Sequence, residues 1–128
     1  MSAGQTSGIE KSFKCTAAVT AFTIGKFGSD DDTLSTAAAN SDELVGVFQH
    51  DTANAGDEVR VMLEGISKIK LGSGGITRGA WITSDASGQG VALGSTAGTN
   101  YAVIGKALKS GSAGDIIPML LVQSRAQG

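Results

Sequence analysis

The chain has one cysteine, one histidine and one proline in 128 residues, and only 17% of its residues are charged. Cys15 by itself excludes an internal disulfide. Met1 is followed by small polar residues, without the charged segment and apolar core of an export signal, so the chain is expected to be made and folded in a reducing cytoplasm. No apolar run approaches the roughly 18 residues that cross a bilayer, which argues against a membrane partner. Ten basic and 12 acidic residues leave a formal charge of −2. That is too little to draw the molecule onto a phosphate backbone, so nucleic acid is not expected as a partner.

Residues that carry chemistry are correspondingly few. His50 lies beside Asp51, but a hydrolytic triad also needs a serine on a nucleophile elbow, and no Gly-x-Ser-x-Gly occurs. His50 reads as a solvated turn residue. Cys15 sits in a β-patterned run with no histidine near it in sequence and reads as a small buried hydrophobe. Asp30-Asp31-Asp32 clusters carboxylates yet lacks the alternating ligands and closing glutamate of a calcium loop. Gly72-Ser73-Gly74-Gly75 is glycine-rich like a phosphate cradle, but no Lys-Ser/Thr follows and no helix is expected to begin there. Trp81 and Tyr101 could stack on a sugar or a base; a lone tryptophan in an apolar strand is more often core, and that is the expectation here. No catalytic residue, metal site or cofactor is expected.

What the chain does have is glycine and repetition. Its 19 glycines are about twice the usual share of roughly 7%, which favours tight turns. Leu44-Val45-Gly46-Val47 runs through a polar turn to Gly56-Asp57 and a strand, and Val103-Ile104-Gly105-Lys106 does the same to Gly114-Asp115. A period of roughly 60 residues is long for a solenoid and suits two halves of one barrel or sandwich. The expected fold class is all-β, a small single domain of two pseudo-repeated halves.

Residues 1–12 are small, polar and Gly/Ser-rich and read as a flexible N-terminal arm, with 13–124 as the β domain and 125–128 as a C-terminal tail. Short β runs are expected over Phe13–Ala17 and Val19–Phe27, while Thr36–Asn40 could make one helical turn. From Glu58 onward, Val59, Val61, Leu63, Ser67, Ile69 and Leu71 share one face, and Glu58, Arg60, Glu64, Lys68 and Lys70 share the other. Such alternation predicts an antiparallel strand with one wet side. Gly65 interrupts the apolar face, where a bend or bulge is expected. The strand in Ile76–Thr83 and Val91–Leu93 flank a compact loop and read as a hairpin. Ser95–Asn100 reads as a loop, Tyr101–Ala107 as a strand and Ile116–Val122 as the last strand.

Aligning the halves on their Gly-Asp pairs sets Val59, Val61 and Leu63 against Ile117, Met119 and Leu121, so the inward face repeats. The outward face does not. Glu58, Arg60, Met62 and Glu64 become Ile116, Pro118, Leu120 and Val122, and such an apolar face must be covered by the rest of the domain or by another chain. Pro118 has no N–H and is expected at a sheet edge or with its nitrogen turned from a partner.

In their order and spacing, three segments resemble the small decoration, or cement, proteins that coat the heads of tailed bacteriophages. They are Val45-Gly46-Val47 through Gly56-Asp57 to Val59–Gly65; Gly75–Asp85 with Gly88; and Ile104–Leu108 through Ala113-Gly114-Asp115 to Ile116–Leu121. The resemblance implies a β-tulip-like fold without catalysis, a homotrimer, and attachment to the outer capsid surface between major-capsid subunits, where it stabilises the head. On that reading the major capsid protein and a second copy are the partners. Ile116, Pro118, Leu120 and Val122 belong to the oligomer interface, and Ile9 and Phe13 anchor the arm on the capsid. The alternative is a small ligand- or carbohydrate-binding accessory module of a phage head or tail, using Trp81 and Tyr101.

Overall fold

The structure, a computed structural model, describes residues 8–94 and 100–127. The first seven residues of the expected arm, most of the expected 95–100 loop and Gly128 of the expected tail lie outside them. Nine strands and no helix are found among the described residues: β1 (Ile9–Cys15), β2 (Ile24–Phe27), β3 (Thr33–Thr36), β4 (Leu44–Phe48), β5 (Glu58–Lys70), β6 (Trp81–Ser84), β7 (Gly90–Ala92), β8 (Asn100–Ala107) and β9 (Ile116–Gln127).

The long alternation after Glu58 becomes β5, and β5 organises everything else. Its first part pairs with β1 and β4, and because β1 also pairs with β3, the order β1-β3-β2-β4-β5 closes into a five-stranded barrel. At Gly65, with φ of +106°, β5 changes partner: Ile9 opposes Glu64, whereas Leu121 of β9 opposes Gly65. An L side chain disfavours that φ, so the bend expected from the sequence falls where one barrel hands the strand to the next. The second part of β5 heads the order β5-β9-β8-β6-β7, and a parallel bridge between Leu71 and Gly90 brings β7 back against the end of β5.

The two rings are built by the same bonds. Cys15 N–H donates to Asp57 O (3.0 Å) and Gly56 N–H to Cys15 O (2.8 Å); Leu71 N–H donates to Asp115 O (2.8 Å) and Gly114 N–H to Leu71 O (2.9 Å). The Asp57 carboxylate caps its turn by accepting from Asn54 N–H, and Asp115 does so from Ser112 N–H. The repeated Gly-Asp pair is therefore a turn whose aspartate replaces the hydrogen bonds that a ladder would give. The pseudo-repeat read from the sequence is a repeat of hydrogen-bond connectivity.

Each ring holds a core. Phe13, Cys15, Leu34, Val45, Phe48, Val59 and Val61 fill the first barrel. The second core is built on Ile69, Leu71, Ile82, Ile104, Ile117 and Met119, and it reaches across to Ile24, Leu44 and Val47 of the first half. β4 is buried along its whole length because it lies between both cores, which explains its nearly unbroken apolar sequence.

The structure corrects four expectations. β1 begins at Ile9, inside the expected arm, and Glu10, Lys11 and Ser12 pair with Met62, Val61 and Arg60. Those residues carry little apolar signal because only Phe13 and Cys15 point into the barrel, and the strand is held by its partner. At the other end β9 runs to Gln127, through most of the expected tail. The single run expected over Val19–Phe27 is broken at Phe22, whose φ is +64°, and only Ile24–Phe27 is strand. Thr36 ends the short strand β3 rather than opening a helical turn, since Ala37 N–H is taken by Ile24 O.

Phe13 is 7% exposed and belongs to the first core. Phe13→Ala should therefore destabilise the isolated chain by about 3–5 kcal/mol, measured by urea unfolding. An effect within about 0.5 kcal/mol, as for a surface position, would place Phe13 back in a free arm.

Candidate functional site

Cross-strand register decides which side chains share a face, because directly opposed residues project to the same side. Ile66 of β5 opposes Leu120 of β9, Leu120 opposes Lys106 of β8, and Lys106 opposes Trp81 of β6. These four residues form one row across four strands, about 14 Å long at strand spacings of roughly 4.8 Å. A second row holds Lys68, Pro118 and Leu108, the last donating its N–H to Pro118 O at 3.1 Å. Lys70 and Ile116 form a third.

This outer face of the second barrel is apolar and open. Ile116 is 50% exposed, Trp81 42% and Leu120 38%, and Ile66, Leu108 and Val122 are exposed as well. Lys106 Nζ sits 5.1 Å from the centre of the Trp81 ring, so its charge lies over the indole. The row of residues aligned from the sequence thus faces outward as expected, with Pro118 half-buried. Ile66 and Trp81 extend it beyond what sequence reading assigned. Ile66 had a signal, being an isoleucine between Glu64 and Lys68 on the mostly charged face of β5. Trp81 had none: β6 is four residues long, too short for period-2 alternation to tell its faces apart, and Ile82 rather than Trp81 fills the core.

Pro118 is not at a sheet edge. β9 lies between β5 and β8, and the proline is accommodated because its ring nitrogen shares the side of its carbonyl, facing Leu108 just past the end of β8. The ladder loses one bond at a strand terminus, where the loss is smallest.

The other sequence candidates are dispersed. Ile9 is exposed at the start of β1, whereas Phe13 is buried, so the two proposed arm anchors do not act together. Tyr101 is buried while Trp81 is exposed, and no aromatic pair faces a ligand. His50 Nε2 accepts from Arg60 N–H at 3.1 Å, extending the β4–β5 ladder beyond Phe48, with Nδ1 against Asp51 O. Cys15 is buried with Sγ 3.3 Å from both Thr52 Oγ1 and Asp57 O. Asp30, Asp31 and Asp32 are exposed in the β2–β3 turn, and among the described residues no group of three His, Cys, Asp or Glu side chains is placed to hold a metal.

A second surface opens at the end of the first barrel. It is a groove of about 610 Å³ lined by Phe13, Phe27, Val45, Leu63, Glu64 and, at its border with β9, Val122. Phe27 is 54% exposed there, three residues before the aspartate turn.

Comparison with known proteins agrees with this architecture. The solved structure of the head fiber gp8.5 N base of bacteriophage phi29 superposes with a TM-score of 0.68 at 19% identity, covering 97% of this chain and 100% of that one. At that identity the likeness speaks for the fold. No curated protein matches the chain. Residues 4–121 match the family described as phage cement protein. A match over nine-tenths of the length establishes that the chain belongs to the phage cement protein family and is a structural component of a bacteriophage virion.

Proposed function

We propose that the chain decorates the outer surface of a bacteriophage capsid as a homotrimer seated between major-capsid subunits, and that it stabilises the assembled head. The observation that carries this reading is the outer face of the second barrel. Ile66, Leu120 and Trp81 lie in one row with Ile116 on the same face, and Ile116, Pro118 and Val122 of β9 stand where the first half has the charged Glu58, Arg60 and Glu64. A monomer that stays alone in solution has little reason to keep such a face dry-side out. Ile116, Pro118, Leu120 and Val122 supply the oligomer contact, and Ile9, exposed at the start of β1, is the candidate contact of the N-terminal segment with the shell.

The mechanism is linkage. A protein that binds only the assembled shell lowers that state's free energy by mass action, and hundreds of sites each adding a few kcal/mol oppose rupture. A trimer also engages its three contacts together, which raises the effective affinity without new chemistry. The family is structural, and binding without turnover is all this role asks of the fold.

Purified protein should sediment with expanded shells and behave as a trimer by light scattering in free solution. Protein that stays in the supernatant at every concentration would refute decoration. Binding to glycans with no binding to shells would favour the accessory-module reading, with the exposed Trp81 as its platform.

A further inference from the structure

Gly65, where β5 passes from one barrel to the other, also divides the charge. Residues 1–64 carry 10 acidic and 4 basic side chains, a net −6, whereas residues 65–128 carry 2 acidic and 6 basic, a net +4. The near-neutral total conceals a strongly polarised molecule. Each of the two apolar surfaces carries charge of its own half's sign. Lys68, Lys70 and Lys106 stand among Ile66, Ile116, Leu120 and Trp81 on the face of the second barrel. Glu64 is the acidic residue that lines the groove of the first barrel, and Asp30, Asp31 and Asp32 are exposed on the same barrel in the turn that follows β2.

We infer that copies of this chain join head to tail, the basic apolar face of one second barrel seating against the apolar groove, bordered by Glu64, of the next copy's acidic first barrel. The inference rests on the trimer reading above and names its contact. A two-fold contact of the face with itself would oppose Lys68, Lys70 and Lys106 to their own copies, which costs free energy and disfavours that arrangement. A heterologous contact instead pairs opposite charges around an apolar centre, and repeated head to tail it closes a ring. Val122 completes the geometry. It is exposed two residues beyond Leu120 on β9 and also lines the groove, so the groove reaches the strand that carries the basic face. In a three-fold ring each copy fills a wedge whose two contact faces meet near the axis, and two surfaces that both reach β9 suit that wedge.

Charge exchange tests this. One variant carries Lys68→Glu and Lys106→Glu, a second carries Asp30→Lys and Asp31→Lys, and a third carries all four; each position is exposed, so thermal melting should show folded protein throughout. By sedimentation velocity at low salt, where the Debye length is about 10 Å or more, each two-site variant should assemble at least about tenfold more weakly than the parent. The four-site variant should regain assembly with itself yet fail to mix with tagged parent chains. If it assembles no better than the two-site variants, or if the parent trimer is indifferent to all three, the head-to-tail contact is wrong while the trimer stands. A parent chain that is monomeric at all concentrations removes the trimer reading itself. Loss of shell binding by the Lys68→Glu, Lys106→Glu variant with its trimer intact would assign the basic face to the capsid and overturn the self-contact.

Discussion

Gly105→Ala should cost about 1–3 kcal/mol of stability, and Gly46→Ala a similar amount, although each adds only one methyl group. Gly105 is the glycine of Val103-Ile104-Gly105-Lys106, and a Cβ there would collide with the Leu120 carbonyl oxygen and lie 2.7 Å from Met119 Cγ. At Gly46, its counterpart, a Cβ would collide with the Met62 carbonyl oxygen and lie 2.7 Å from Val61 Cγ1. In both halves the obstacle is backbone of the neighbouring strand, which cannot swing aside as a side-chain tip would. Relief requires the β8–β9 or β4–β5 pairing to spread, with loss of ladder bonds and of packing behind them. Against a typical total of roughly 5–15 kcal/mol, the double variant should be marginal at 37 °C. Urea midpoints of the single variants that match the parent would show that the strands do not approach as closely as described. The doubled Val-Gly and Ile-Gly motif is thus a packing requirement that occurs once per barrel.

Long-range order was legible in this sequence where a pattern had room to repeat. Thirteen residues of β5 alternate long enough for the faces to be assigned without coordinates, and the glycine that breaks the pattern marks the change of barrel. The Gly-Asp turns were legible because an aspartate following a glycine encodes its own local hydrogen bonds. The start of β1, the short strand β3 and the facing of Trp81 in β6 were misread for one physical reason: strands of four to seven residues, with two apolar positions or fewer pointing one way, are defined by their partners and not by themselves. Trp81 shows the consequence for the candidate site. Its neighbours Ile82, Thr83 and Ser84 are all buried, so the strand has no alternation, and only the pairing with Lys106 shows that the indole belongs to the outer row. Charge polarity was equally invisible in the total of −2, because it appears only when the chain is cut at the residue where the sheet itself turns.

Leu120→Asp should leave the isolated chain folded and abolish its assembly. Leu120 occupies the centre of the outer row, between Ile66 and Lys106, and is 38% exposed. In the free chain an aspartate there keeps most of its hydration, and its cross-strand partner Lys106 is exposed too, so any ion pair formed between them is worth little. The change in unfolding free energy should accordingly stay near or below 1 kcal/mol. In the trimer the same carboxylate would be pressed into an apolar contact with its water removed, and a central interface position of this kind commonly costs about 2–4 kcal/mol. Each contact should weaken by about 30- to 1000-fold, since 1.4 kcal/mol is tenfold. A closed trimer suffers the loss at three contacts together, so the variant should sediment as a folded monomer at concentrations where the parent is fully assembled. Its attachment to shells should fall in parallel, because the avidity of three joined contacts disappears with the trimer. A Leu120→Asp chain that stays trimeric would remove this face from the oligomer contact. One that unfolds would show that the outer row is held by the domain's own packing, with Ile66 and Trp81 closing over Leu120 more tightly than their exposure indicates.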